Sequence, residues 1–118
     1  MFLLITAGPE DPEAPLAFVA AKGAMEDGND VSIVTMADGV SLLRRDVGLD
    51  ALEASGLPTV AAAVEALRDR GALADAVALR PCCAARDIGE SDLRQWASMD
   101  SPSAVSRLAA GHETTLRF

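Results

Sequence analysis

Phe2-Leu3-Leu4-Ile5 and Val31-Ser32-Ile33-Val34-Thr35-Met36, the two ends of the stretch from Phe2 to Met36, decide the fold. The first is a continuous apolar run stopped by Gly8-Pro9. The second is β-branched and bounded by turn residues on both sides. Runs of this kind read as strands buried on both faces, as in the interior of a parallel sheet. Between them, from Ala14 to Asp27, the residues Leu16, Val19, Ala20 and Gly23 recur at the spacing of one helix face, and Gly28-Asn29 ends the segment. Strand, helix and strand in this order predict a βαβ unit, with Leu16, Val19, Ala20 and Gly23 facing the sheet.

Outward from that unit the pattern continues. The segment from Ala37 to Pro58 is weakly periodic: Val40, Leu42 and Leu43 suggest a short helix, followed by a loop punctuated by Gly48 and Gly56. From Thr59 to Arg70 the stripe Val60, Ala63, Val64, Leu67 opposes Glu65, Arg68 and Asp69, and Gly71 stops the helix. Asp75 to Leu79 reads as a third buried strand, Cys82 to Arg86 as one helical turn, and Glu90 to Ser98 as a helix carrying Leu93, Trp96 and Ala97. A short helix is expected after Ser101-Pro102, and a half-buried strand over Thr114 to Phe118. The expected architecture is one α/β domain over 1–118 in three layers, a mostly parallel sheet of about four to five strands with helices on both faces.

Composition bounds the function. The formal net charge of -8 argues against a nucleic-acid partner, since backbone binding rests on Lys and Arg. No run approaches the roughly 18 apolar residues of a membrane span, and no basic stretch precedes a longer apolar one as in a signal peptide. The cysteines, Cys82 and Cys83, are adjacent. Consecutive Cα atoms lie about 3.8 Å apart, closer than an unstrained disulfide spans. One adjacent pair makes no disulfide framework, which points to a reducing compartment and a cytoplasmic protein.

Ligands of open parallel sheets bind beyond the carboxyl ends of the strands. Three loops should therefore converge, bringing Gly8, then Asp38 and Gly39, then Cys82 around one concavity. At a strand end and helix start, free N–H groups would favour the reactive thiolate of Cys82, with Cys83 as the alternate, and Arg86 one turn on would add positive charge. The ordinary alternative is that both cysteines are small buried hydrophobes and Arg86 a solvated helix residue. His112, the only histidine, reads as an exposed loop residue rather than half of a Cys-His dyad. Glu10, Asp11 and Glu13 suit helix capping better than a cation site. With His112 and two adjacent cysteines the set for zinc is poor, and no phosphate-binding glycine motif is present, so no metal or organic cofactor is expected.

The loop Gly8-Pro9-Glu10-Asp11-Pro12, the Ala-rich helix ending in Gly28, the strand Val31 to Met36, and Ala37-Asp38-Gly39-Val40 together resemble the DsrE/DsrF-like family. So do Pro81-Cys82-Cys83-Ala84-Ala85-Arg86-Asp87-Ile88 and the closing Thr115-Leu116-Arg117-Phe118. The resemblance implies a small α/β domain that assembles into trimers or hexamers. It further implies a strand-end cysteine that carries persulfide sulfur between donor and acceptor proteins. Two departures stand out. Many relatives have two cysteines three apart, and here Leu79 holds the first position and Cys82 the second. The family's usual Gly after the Arg is Asp87. A noncatalytic binding or regulatory module on the same fold is the alternative.

Assembly can also be argued from the first helix. At 100° per residue, Phe18 and Met25 point opposite to Leu16, Val19, Ala20 and Gly23. This predicts a homo-oligomer with Phe18 and Met25 in or near a subunit contact.

Overall fold

β1 (Phe2–Ile5), α1 (Glu13–Glu26) and β2 (Val31–Thr35) form the expected βαβ unit in the computed structural model, which describes residues 1–118. Phe2 to Ile5 pair in parallel with Ser32 to Thr35. α2 (Val60–Asp69), β3 (Leu73–Leu79), α3 (Arg80–Ala84), β4 (Ser98–Asp100), α4 (Ser103–Ala109) and β5 (Thr115–Arg117) complete the chain. The sheet has five strands in the order β4-β3-β2-β1-β5, and every pairing is parallel. The central strand β2 is buried at all five positions, as its unbroken apolar character requires.

Strand alternation divides the core in two. Leu3, Ile5, Val31 and Ile33 pack with α1 and α2 on one face, while Phe2, Val34, Val77 and Leu79 pack with Ala104 of α4 on the other. A smaller cluster of Val40, Leu43, Ala78, Cys83, Ile88 and Leu93 closes the carboxyl end of β3. α2 buries the stripe read from its sequence, Val60, Ala63, Val64 and Leu67. The Thr59 hydroxyl caps it by accepting from the Ala62 N–H at 3.1 Å. Gly71, at φ +65°, ends it.

α1 is turned the other way round from its expected orientation. It buries Ala14, Ala17, Phe18, Ala21, Ala24 and Met25, with Phe18 1% and Met25 5% exposed, whereas Leu16 is 41% exposed and Gly23 lies in solvent. Phe18 and Met25 are therefore core residues, and the proposed subunit contact through them is wrong. The helix is apolar nearly all round, so the larger side chains do not select a face. Selection comes from Ala14, Ala17, Ala21 and Ala24, whose small side chains let the helix sit close to the sheet and to α2, leaving space that Phe18 and Met25 fill.

The expected helix from Glu90 to Ser98 is also absent. A single 3-10 turn at Glu90–Asp92 gives way to extended chain that becomes β4. The backbone here is taken by other partners: Leu93 bridges antiparallel to Arg44, and the Arg94 N–H donates to the Leu43 carbonyl at 3.0 Å. Leu93, Trp96 and Ala97 meet the core from that extended chain. At the other edge β5 is more exposed than the half-buried strand expected, with its central Leu116 at 36%. Phe118 after it is half-buried against the α1 side of the core.

Candidate functional site

Three strand ends meet at the carboxyl edge of the sheet, and the chain reverses sharply there. Beyond β2 the Met36 N–H donates to the Ile5 carbonyl at 3.0 Å, joining the ends of β1 and β2. Ala37 then adopts φ +51°, the left-handed region that a residue with a Cβ seldom enters. A 3-10 helix over Ala37–Leu43 follows. Gly39 passes so near β1 that a Cβ there would stand 2.2 Å from the Ile5 carbonyl oxygen. Gly8, on the loop after β1, is less tightly constrained: its Cβ would lie 3.0 Å from that of Asp38, which would have to give by a few tenths of an ångström. The glycines of this edge are close-approach residues that let two loops touch.

α3 follows β3 directly, with Pro81 in its first turn. It brings Cys82 against the first of these loops: the Ala37 N–H donates to Cys82 Sγ at 3.2 Å. Arg86 donates to the Cys82 carbonyl at 3.1 Å and, through Nη2, to Asp38 Oδ1 at 2.9 Å. Cys82, Arg86, Asp38, Gly39 and Gly8 are thus brought together. A cavity of about 520 Å³ alongside is bordered by Gly8, Asp38, Thr6 and Ser41, but Cys82, Gly39 and Arg86 do not line it, so Cys82 does not share this concavity with Gly8 as the sequence led us to expect.

The two cysteines have opposite surroundings. Cys82 is half-buried. Cys83 is 1% exposed inside the Val40, Leu43, Ala78 cluster. Burial, reinforced by the neighbouring Cys82, pushes the Cys83 thiol above its ordinary value, so it keeps its proton at neutral pH. The donor reaching Cys82 comes from the loop after β2 rather than from the start of its own helix. Sequence reasoning did not single out Ala37, because nothing in an alanine announces a left-handed backbone. Arg86 reaches the carbonyl of Cys82, not its sulfur, and its charge is balanced by Asp38. Asp87 stands at φ +55°, which explains why a glycine suits that position.

His112 lies at the opposite, amino end of the sheet and is half-buried, not an exposed loop residue. Its Nε2 is 2.8 Å from Ser32 Oγ, its Nδ1 3.0 Å from the Met1 amino group, and the Ser32 hydroxyl donates to Asp75 at 2.7 Å. No group of three His, Cys, Asp or Glu side chains is arranged to hold a metal ion, and no helix is long and apolar enough to cross a membrane. Asp11 accepts from the Glu13 N–H at 2.9 Å just before α1, whose N-cap position is Pro12 and has no side-chain cap.

The crystal structure of YchN from E. coli superposes with a TM-score of 0.74 at 15% identity, covering 99% of this chain and 97% of that one. A protein of unknown function, MTH1491 from Methanobacterium thermoautotrophicum, matches at 0.65 and 16% identity, covering 99% and 98%. At these identities the likeness speaks for the fold. No curated protein matches by sequence. The family model described as DsrE/DsrF-like matches residues 1–112, which takes in both strand-end loops, the cysteine pair and the Arg86-Asp87 turn. With an all-parallel sheet that ends in these loops, the chain belongs to the DsrE/DsrF-like family.

Proposed function

We propose that this protein carries sulfur on Cys82, accepting it from a donor persulfide and passing it to an acceptor thiol. The observation that carries the reading is the Ala37 N–H, fixed 3.2 Å from Cys82 Sγ, which meets negative charge on that sulfur. Loading is thiol exchange. The Cys82 thiolate attacks the outer sulfur of the donor, a new S–S bond forms at Sγ, and the donor's S–S bond breaks with its electron pair leaving on the donor thiolate. Delivery is the same step with the acceptor as nucleophile, so no net oxidation occurs.

Cys83, buried and protonated, is a packing residue in this scheme. Arg86 and Asp38 position the turn by holding the Cys82 carbonyl and the loop after β2 together. Mass spectrometry after treatment with a persulfide donor tests the proposal. One added sulfur on the wild type, lost in Cys82→Ser and retained in Cys83→Ser, is the expected result. A wild-type chain left unmodified by several donors overturns it. The second reading, a binding or regulatory module without thiol chemistry, draws on the partial burial of Cys82; it predicts alkylation only after unfolding.

We also propose that the chain is a homo-oligomer, a trimer or hexamer as the family resemblance implies. Leu16, 41% exposed on the outer face of α1, replaces Phe18 as the apolar group available to a neighbour. Light scattering at micromolar concentration decides: a mass near one chain refutes assembly.

A further inference from the structure

β5 (Thr115–Arg117) is an edge of the sheet, paired with β1 on one side and with no strand on the other. Natural proteins blunt such edges with a proline, a bulge or a charge, because the bare backbone of an edge recruits a further strand. β5 has no proline, and its register against Phe2, Leu3 and Leu4 is unbroken. Its outward groups follow from the bonds made inward. The Phe2 N–H donates to the Thr114 carbonyl and the Phe118 N–H to the Leu4 carbonyl. Strand alternation then turns the N–H and C=O of Thr115 and Arg117 away from β1, where another strand can reach them.

Arg117 is the one charge on this edge, and its counterpart is on the same chain. Glu113, at the bend just before β5, is exposed like Arg117, and neither takes part in an ion pair. The two stand at equal distances along the sequence from Thr115. In an antiparallel pair, outward-pointing residues lie opposite outward-pointing residues, so Thr115 can face another Thr115 or an Arg117 but not a Leu116. We infer that β5 pairs antiparallel with β5 of a second copy of this chain, about a two-fold axis at Thr115, with Glu113 of each copy meeting Arg117 of the other. Neighbouring registers set Arg117 against Arg117, set Glu113 against Glu113, or leave both charges unmatched, and like charges directly opposite are unfavourable. Thr115 and Arg117 lie on the face of Phe2 and Leu4, so the two copies carry their α4 helices on the same side of one continuous sheet. The inference rests on the homo-oligomer proposed above and selects between its two forms, since a closed trimer has no two-fold axis.

Light scattering on a dilution series of the full chain and its variants tests the contact. The wild type should form an assembly with an even number of chains. Thr115→Pro removes the outward N–H and sets a ring in its place while sparing the bonds to β1, so it should halve the mass. Arg117→Glu and Glu113→Arg, both at exposed positions that the fold does not use, should each raise the concentration at which the assembly splits by about tenfold or more. The double variant Glu113→Arg/Arg117→Glu restores opposite charges across the axis and should recover the wild-type behaviour. Failure to recover, or single charge reversals that split no sooner than the wild type, overturns the register and the contact with it. A wild-type trimer overturns the two-fold pairing and leaves the homo-oligomer reading standing. A single chain at every concentration overturns both.

Discussion

The carboxyl-edge turn and a second region, the cavity of about 780 Å³ that Arg45, Arg68 and Arg94 help to line beside α2, are built on different principles. At the turn, the contacts that matter are made by backbone: the Ile5 carbonyl, the Ala37 N–H, and Gly39, where a side chain will not fit. The cavity is instead lined mostly by side chains, from three separate segments. A backbone-built site is rigid and intolerant of small additions, while a site built from side chains tolerates substitution one group at a time. The two regions should therefore respond to mutation on different scales.

The sharpest test is Gly39→Ala. One methyl group forced against the β1 carbonyl should cost roughly 1–3 kcal/mol in urea unfolding and displace the Ala37 donor, so that Cys82 reactivity falls with stability. A variant as stable as the wild type would break the distinction. Next is Cys83→Ser, which sets a hydroxyl in an apolar cluster and should cost about 1–3 kcal/mol, against under about 1 kcal/mol for Cys82→Ser at the half-open position.

Cys83 also carries a dependence on pH. Because burial raises the Cys83 thiol above its ordinary value, it should resist alkylation at neutral pH in the folded state, whereas the proposed function requires Cys82 to react there. The unfolded thiol ionises first as pH rises, so the contribution of Cys83 to stability is intact below about 9 and declines above it. Cys83→Ala should flatten that decline. On the cavity side, Arg68→Ala removes an exposed guanidinium from the Trp96 ring and should cost only about 0.5–1 kcal/mol. The smallest expected effect is a gain. Asp87→Gly relieves a left-handed backbone and should add up to about 1 kcal/mol, reduced by the greater entropy of an unfolded glycine.

The two helices on one face of the sheet show what the sequence could convey. α2 sets Glu65, Arg68 and Asp69 against an apolar stripe, and the contrast fixes which side is buried. α1 offers apolar groups on nearly every side, and there the alanines decide the face by allowing close approach. That preference depends on the shape of the partner surface, which no single segment encodes. The meeting of the strand-end loops was legible for a related reason. Apolar strands announce their ends by turn residues, and parallel pairing then carries those ends to one edge. Ala37 and Asp87 were not legible, because their left-handed backbones are imposed by the fold. Nor was the segment from Leu93 to Ala97, whose helical spacing is overridden by pairing with Leu43 and Arg44.

The strand order has a consequence for synthesis on the ribosome. β2, β3 and β4 add to one side of β1 as they emerge, but its other side is paired only by β5, where Phe2 meets Thr115. Everything up to Thr115 must be made before the first strand gains its last neighbour. Until then β1 presents a bare row of N–H and C=O groups, a template that any extended segment nearby can occupy. Three exposed residues, late to arrive, are what stands between the nascent domain and mispairing with another copy.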